Sequence, residues 1–213
     1  MTKTETAHPR HAGATRRRIL DAALAEFSSH GYGGARVDRI AAAAEVSKPM
    51  IYSYYGDKDQ LYKAALKEAY VQIRAGEREI DTELMDPEDA VRALTRFTMD
   101  HFLRKPWFIS MLNTENLRGG EAVREIEDVT EIQSTMIAQM SGILERGAKS
   151  GQFRTGVDPV ELYITMASLC FFPVSNRHTL SVVFEAPIDE AWLKRRAVEA
   201  GEMLVRYLRK DPS

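Results

Sequence analysis

Apolar side chains recur every three or four positions along most of this 213-residue chain. That spacing returns side chains to one face of an α-helix, whereas a half-buried strand alternates apolar and polar residues. No segment of the sequence shows a convincing alternation, and glycine, proline and capping residues repeatedly interrupt the helical pattern. The pattern therefore predicts an all-α fold of about nine helices.

The predicted helix boundaries divide the chain into a short amino-terminal part and a longer remainder. Residues 1–14 lack periodicity and are predicted to form a flexible leader. Three helices follow within residues 15–55, of which the first is predicted to stop before Gly31, and a fourth begins after Asp57 and runs to about residue 80. The second and third helices, at about residues 36–55, are short and joined by a tight turn. Residues 56–213 are predicted to form a larger helical body.

The overall composition shows no excess of positive charge that would indicate nucleic-acid binding. There are 29 Lys and Arg residues against 31 Asp and Glu residues, which gives a net charge of -2. The single cysteine, Cys170, lies in an apolar stretch and suits a reduced core thiol. The amino terminus lacks the apolar segment of a signal peptide, and the longest apolar run, residues 164–174, is too short to span a membrane. We therefore expect a cytoplasmic protein.

The charge is distributed unevenly, and this local pattern is more informative. The first 55 residues carry eight basic and five acidic side chains, so the remainder of the chain is acidic. Within this basic part, the pair of short helices at residues 36–55 suits a helix-turn-helix, in which one helix crosses the phosphates and the other enters the major groove by its amino-terminal end. A purely structural corner between two helices fits the spacing equally well.

A resemblance to a known family adds to this interpretation. The run Arg18-Ile-Leu-Asp-Ala-Ala, the pair Gly31-Tyr32 and the continuous segment 37–62 resemble the DNA-binding domain of the TetR/AcrR family of one-component repressors. The resemblance covers roughly residues 15–69. It implies an all-α homodimer with a three-helix DNA-binding head and a larger body that binds a ligand and dimerises. Residues 175–184 are also similar to a subgroup that includes pyrimidine-utilisation regulators.

The resemblance implies roles for particular residues in operator binding. It places six residues on the recognition helix and Lys58 at a phosphate. Among Arg16, Arg17 and Arg18, phosphate contact by one or two is favoured over a solvated helical turn, and Arg17 is the candidate. Arg36 is a further candidate for a phosphate. The six positions on the recognition helix are Ser47, Lys48, Pro49, Met50, Tyr52 and Tyr54.

Three positions depart from the pattern of the family. Arg36 stands where many members have a threonine that caps the second helix. Glu45 replaces a glycine in the turn, which would strain a left-handed backbone by about 1 to 2 kcal/mol. Tyr54 and Tyr55 replace a histidine and a phenylalanine, so the phenol of Tyr55 needs a hydrogen-bond partner if it is buried.

Aromatic and polar residues in the body are candidates for an effector pocket. His101 lies on the inward face of the fifth helix, where it is either a core histidine or a ligand contact. The methionines of the body likewise suit either an apolar pocket wall or plain core. The predicted ligand-binding residues are Phe97, His101, Trp107, Met111, Asn116, Met140, Phe171 and His178.

Catalytic motifs are absent from the sequence. It contains no strand-framed Gly-x-Ser-x-Gly, no glycine-rich phosphate loop and no His-Glu-x-x-His. His8 and His11 lie in the predicted leader without a third metal ligand and are expected to be solvated. We therefore expect no catalytic residues, no cofactor and no metal site.

The sequence thus predicts a transcriptional regulator, a repressor that a small-molecule effector releases from a palindromic DNA operator. The helix over residues 160–172 is apolar nearly all round and is expected to be fully buried. A homodimer without membrane contact is expected, held by this helix and by the last helix, where Ala197 and Gly201 would allow close approach. Two alternatives remain: a helical small-molecule-binding protein that does not bind DNA, and an unrecognised helical enzyme.

Overall fold

The computed structural model describes residues 9–210, and these form eleven α-helices. Within that range the β-type pairing is a single isolated bridge between Phe153 and Arg209. The predicted all-α class is therefore confirmed. The helices are α1 (Pro9–Gly34), α2 (Val37–Ala43), α3 (Lys48–Tyr55), α4 (Lys58–Arg78), α5 (Pro87–Arg104), α6 (Pro106–Leu117), α7 (Glu121–Arg124), α8 (Val129–Lys149), α9 (Pro159–Ser175), α10 (Arg177–Val183) and α11 (Glu190–Leu208).

The chain folds into two compact units. The first contains the described residues up to Ala69 together with Ser110–Val129, and the second contains Tyr70–Ile109 and the chain from residue 130 onward. The first unit is larger than the predicted head at residues 15–55, because it also includes the first part of α4, most of α6 and α7. The predicted body at residues 56–213 is correspondingly reduced.

The predicted helices differ from the observed ones in two ways. Helix α1 begins at Pro9 rather than near Thr15, so residues 9–14 of the predicted leader are helical, while residues 1–8 lie outside the described part. The two helices beyond the predicted nine are short. They are α7, which has four residues, and α10, which has seven.

The end of α1 is held against α2 by one carboxylate. Gly31 has a φ of 63°, which ends the regular helix where the sequence predicted a stop. Glu26 then accepts hydrogen bonds from the backbone N–H of Arg36 at 2.8 Å and from Nε of Arg39 at 2.7 Å. Arg36 occupies the N-cap position of α2 without a side-chain capping bond. The Glu26 carboxylate thus satisfies the N–H of a residue that cannot cap the helix itself.

The turn between α2 and α3 contains a left-handed residue. Glu45 has a φ of 53°, the conformation in which its Cβ is strained. Ser47 follows at the N-cap of α3 in extended backbone, but its side chain makes no capping hydrogen bond. Ser47 therefore occupies the N-cap position, and its hydroxyl is not used by the helix.

The first unit has a small aromatic and aliphatic core. Ile19 and Phe27 of α1, Ile40 of α2 and Ile51 of α3 are almost fully buried. Tyr55 at the end of α3 is also buried, and its hydroxyl donates to the backbone carbonyl of Arg16 at 2.9 Å. The buried phenol therefore has the partner that its position requires.

Helix α5 is the centre of the second unit. It packs on both α9 and α11, and half of its residues are buried. The core around it also includes α8 and the loop residue Phe153. A Cβ at Gly147 would lie 2.0 Å from the Phe153 ring, so only glycine admits this ring against α8.

The predicted role of Ala197 and Gly201 in a dimer contact is not supported by their position. Both are buried within the single chain on α11. A Cβ at Gly201 would lie 3.5 Å from the Cα of Arg92 on α5. The small residue thus allows close packing of α11 against α5, and a larger side chain there would disturb the fold of the chain itself.

Helix α9 is less buried than its sequence predicted. Its buried residues are Leu162, Met166, Cys170, Pro173 and Val174, which form one face. The opposite face leaves Val160, Ile164 and Phe172 about half exposed. A helix that is apolar all round therefore covers the core with one face and presents the other to solvent in the single chain.

Replacing Glu45 by glycine is expected to stabilise the protein by about 1 kcal/mol, because glycine adopts the left-handed conformation without strain. The lost contact is small, since the nearest cation, Arg18, is 3.9 Å away and both side chains are exposed. The free energy of unfolding in urea would measure the change. Glu45→Ala is the matched control, because it removes the charge but keeps the Cβ. Equal stabilities of the two variants would contradict a strained turn.

Candidate DNA-binding surface and effector site

Helix α3 presents most of its surface to solvent. Only Ile51 and Tyr55 are buried, and they anchor the helix to the core of the first unit. Met50 and Tyr52 are 41% and 40% exposed. The face also contains exposed Ser47, Lys48 and Pro49, whereas Tyr54 is half-buried. Five of the six residues predicted for a recognition helix are thus exposed, and they lie around the amino-terminal part of α3.

Lys48 is the cation on this exposed face, and it is already paired. Its Nζ lies 3.0 Å from the Asp38 carboxylate of α2, and both side chains are largely exposed. The hydrogen bond to Asp38 and the charge of that carboxylate raise the pKa of Lys48. An exposed pair of this kind contributes little to stability, so a phosphate can compete for the lysine.

The three arginines at the start of α1 have different surroundings. Arg16 stacks over the Tyr55 ring at 4.8 Å. The guanidinium of Arg17 contacts Asp21 at 2.9 Å and Glu68 of α4 at 2.6 Å. These carboxylates raise the pKa of Arg17 and leave less of its guanidinium available to a phosphate. Arg36 is exposed, and only its backbone N–H is held by Glu26.

Lys58, the predicted phosphate contact at the start of α4, lies against an aromatic ring. Its Nζ is 4.8 Å from the centre of the Tyr32 ring, and burial together with the nearby charge of Arg118 lowers its pKa. Arg118 of α6 covers the same ring at 3.7 Å and reaches Tyr62 at 5.0 Å. This pair of cations on one tyrosine was not predicted from the sequence, because Arg118 is remote in the chain from Tyr32.

Two parts of the chain match known families. Residues 19–65 match the family described as bacterial regulatory proteins, tetR family, and residues 87–204 match the tetracyclin repressor-like C-terminal domain. The chain belongs to the TetR family. It carries the helix-turn-helix DNA-binding domain of these transcriptional regulators, as the sequence predicted.

Relatives and solved structures agree with this assignment. The transcriptional repressor NicS of Pseudomonas putida is 35% identical over 85% of both chains. A transcriptional repressor of Streptomyces coelicolor is 29% identical over 76% of this chain and 79% of its own. The crystal structure of a TetR family regulator from Marinobacter aquaeolei has a TM-score of 0.70 at 18% identity and covers 95% of this chain and 100% of that one. That likeness shows the shared fold.

The second unit contains a cluster of aromatic rings. His101 lies 5.8 Å from Phe97 and 5.2 Å from Phe108, measured between ring centres. Phe102 contacts Phe108 at 5.7 Å and Phe171 of α9 at 5.9 Å. Trp107 extends the cluster through Phe108 at 6.2 Å. We call these six residues, Phe97, His101, Phe102, Trp107, Phe108 and Phe171, the aromatic cluster.

The other predicted ligand residues lie elsewhere. Met140 is fully buried among core side chains of α5, α8, α9 and α11. Met111 and Asn116 belong to the first unit, where Met111 is buried and Asn116 is exposed and bonded to the Leu112 carbonyl. His178 is exposed on α10 beside Arg177. The structure therefore brings together Phe97, His101, Trp107 and Phe171, and it places Met140 in the core of the second unit and His178 at the surface.

A buried charged group next to the aromatic cluster was not predicted from the sequence. Arg74 and Glu77 of α4 are only 3% and 1% exposed, and Nη1 of Arg74 lies 2.9 Å from Oε2 of Glu77. Arg74 also donates through Nη2 to the Tyr163 hydroxyl of α9 at 2.6 Å. A spacing of three residues on a helix usually indicates a solvated ion pair, so the sequence carried no signal of burial.

Burial shifts the titration of two of these groups in opposite directions. Removal from water raises the pKa of Glu77 to about 7, although the charge of Arg74 opposes this shift. Burial and the charges of Lys105, Arg74 and Arg104 lower the pKa of His101 to about 4. At neutral pH His101 is therefore neutral, and its ring joins the cluster as an uncharged aromatic group.

A separate apolar cavity of about 540 Å³ lies between α9, α10 and α11. Trp192 and Phe172 line it, and Arg196 is its charged residue. In the part of the chain that the structure describes, no helix is long and apolar enough to cross a membrane. The same residues contain no group of three or more His, Cys, Asp or Glu side chains placed to hold a metal ion.

The two shifted groups predict a pH dependence with opposite signs. The Glu77 carboxyl binds its proton more tightly in the folded state than in the unfolded state, so it costs stability as the pH rises from about 4.5 to 7. Relative to the parent, Glu77→Gln should therefore gain about 2 kcal/mol of unfolding free energy over that range.

For His101 the sign reverses, because its folded pKa of about 4 lies below the unfolded value of 6.5. His101→Phe should lose stability relative to the parent as the pH rises from 4 to 6.5. Urea unfolding at half-unit pH steps would measure both differences. Parallel curves for parent and variants would show that neither group titrates differently in the folded state.

Proposed function

We propose that this protein is a homodimeric repressor that binds a palindromic DNA operator through α3 and releases it when a small-molecule effector occupies the second unit. The observation that supports operator binding is the exposed face of α3, which offers Lys48, Met50 and Tyr52 to a partner. A helix buried on one side with such residues on the other fits the major groove. The match to the family's DNA-binding domain favours this function over a helical binding protein without DNA contact.

The contacts of α3 suggest a division of roles. The Ser47 hydroxyl and the N–H groups at the start of α3 can donate to a phosphate, and Lys48 can reach one by leaving Asp38. Pro49, Met50 and Tyr52 are then available to base edges. We propose Arg36 and Lys58 as further phosphate contacts, with Arg17 and the half-buried Tyr54 in a lesser role.

The homodimer is proposed to form through the outward faces of α9 and α11. These two helices contact each other in the single chain. Half-exposed apolar side chains run along both helices. Together they expose more apolar surface than adjacent helices of a monomeric protein usually do. They are Val160, Ile164 and Phe172 on α9 and Val198, Met203 and Tyr207 on α11.

Effector control is proposed to follow from a difference in affinity between two conformations. Two recognition helices must meet major-groove faces about 34–36 Å apart. An effector that binds more tightly to a conformation in which the two recognition helices have another spacing lowers the affinity for the operator. The size of this effect is set by the ratio of the effector's affinities for the two conformations. The aromatic cluster is the proposed binding region. The protein is proposed to act in the cytoplasm, without enzymatic activity.

Lys48→Ala should weaken operator binding to nearly the same extent across operator sequences and reduce the slope of log affinity against log salt by about 0.9, because one phosphate contact is lost. Titration of a selected operator at several salt concentrations measures the slope. Lys194→Ala is the matched control, since Lys194 is also exposed and paired with a carboxylate, Glu190. A changed preference among operators with an unchanged slope would assign Lys48 to base reading instead.

Ile164→Glu should raise the dissociation constant of the dimer roughly a hundredfold, because each copy of a two-fold interface would bury a charge. Analytical ultracentrifugation measures this constant. Leu117→Glu is the control, since Leu117 is an apolar residue of α6 that is 91% exposed. A parent protein that is monomeric at micromolar concentration, or an Ile164→Glu variant that dimerises normally, would refute the proposed interface.

A further inference from the structure

The second unit encloses polar side chains that its own hydrogen bonds do not satisfy. Arg74, Glu77 and His101 are each at least 95% buried. We propose that Arg74 and Glu77 form the polar end of the effector site and bind a planar ligand that carries a carbonyl oxygen next to an N–H, as an aromatic amide does. This inference rests on the proposed function only in assuming that the bound molecule is the effector.

The unsatisfied atoms include both donors and acceptors. Among the described residues, Nε and Nη1 of Arg74 have no hydrogen-bond acceptor, and both oxygens of Glu77 have no donor. The 2.9 Å approach of Nη1 to Oε2 of Glu77 is an ion pair without hydrogen-bond geometry. Buried polar atoms normally have partners, so a group that lacks them on both sides is suited to an incoming molecule.

The arrangement selects a ligand with one acceptor beside one donor. A carbonyl oxygen can accept from an N–H of Arg74, and an adjacent N–H can donate to the Glu77 carboxylate. A carboxylate ligand would face Glu77 with a like charge, and a ketone would leave Glu77 without a donor. A carboxylate and a ketone therefore each lack the hydrogen bond to Glu77 that an amide can make.

The polar group adjoins a surface suited to a flat ring. Gly76 lies between Arg74 and Glu77 on α4, and a Cβ there would be 2.5 Å from the Phe97 ring. The missing side chain at Gly76 thus allows Phe97 to lie directly against α4. Phe97 in turn contacts the neutral His101 ring, whose Nε2 is buried and has no hydrogen-bond partner in the described chain.

The charges around the site are consistent with a neutral ligand. Arg74 and Glu77 compensate each other, and the Tyr163 hydroxyl is bonded to Arg74. The positive charges of Lys105 and Arg104 lie near His101 and help to lower its pKa. A neutral amide requires no change in the charge of the pair, whereas an anion requires either a proton on Glu77 or repulsion from it.

Three probes of nearly the same shape test the proposal: benzamide, acetophenone and benzoate. They differ only in the group beside the carbonyl, which is NH2, CH3 or O⁻. Their affinities are measured by calorimetry and by Trp107 emission in a Trp192→Phe background. Benzamide should bind roughly tenfold more tightly than either of the others, since each of them lacks one hydrogen bond.

Glu77→Gln should change this order. The variant is nearly isosteric and removes a buried charge, so the fold is expected to persist. Its side-chain amide can donate to an anion, and benzoate should gain at least about tenfold in affinity. Glu202→Gln is the control, because Glu202 is paired with Arg92 on α5 outside this group and should leave all three affinities unchanged.

Equal affinities for the three probes, an unchanged order in Glu77→Gln, or no binding of any probe at about 10 mM would each overturn the assignment. Release of a selected operator is measured separately. If benzamide binds in the expected order and the operator complex persists at saturation, the site stands and the proposed release of DNA fails. If another effector releases the operator while none of the probes binds, the proposed function stands and the assignment of Arg74 and Glu77 falls.

Discussion

Burial of α5 is the constraint on which the second unit depends. The helix packs on α9 and α11, so its buried hydroxyl groups must be satisfied without water. Thr95 and Thr98 do so by donating to the carbonyls of Val91 and Leu94, one turn earlier. Gly201 of α11 lies against Arg92 of α5, and the last turn of α5 supplies His101 and Phe102 to the aromatic cluster. The core and the proposed effector site thus share one helix.

The helices proposed to bind partners are each covered on one face only. The core of the first unit covers α3 in this way, and α5 covers α9 and α11. Helix α3 is anchored by Ile51 and Tyr55 and is otherwise exposed. Helices α9 and α11 each give one face to the core and keep an apolar face outside. In both units, binding surfaces are therefore the uncovered faces of elements whose other face is rigidly packed.

Much of the fold could be predicted from the sequence because helix period and capping are local properties. Gly31 and the strained turn at Glu45 were identified in this way, since each depends on a few neighbouring residues. The role of Gly201 could not be predicted from the sequence. A small residue on one face of a helix does not reveal whether the helix packed against it belongs to the same chain or to a partner. The burial of Arg74 and Glu77 was hidden for a similar reason, since it depends on α5 and α9, which are distant in sequence.

The DNA-binding surface could be located from the sequence more completely than the effector site. The exposed residues of α3 are contiguous, so a family pattern in one segment identifies them. The aromatic cluster draws on α5, α6 and α9, and composition alone suggested too many members. Met140 and His178 share the residue types of a pocket wall, but one lies in the core and the other on the surface.

Cys170 gives the second unit a chemical property of practical use. It is the single thiol of the chain, it is fully buried, and its Sγ approaches the Thr95 carbonyl at 3.6 Å. Burial raises its pKa to about 12, so almost no thiolate is present in the folded state at neutral pH. Alkylating reagents therefore modify it only when α9 separates from α5. The rate at which the Cys170 thiol is labelled therefore measures how often α9 and α5 separate, and no probe has to be introduced into the chain.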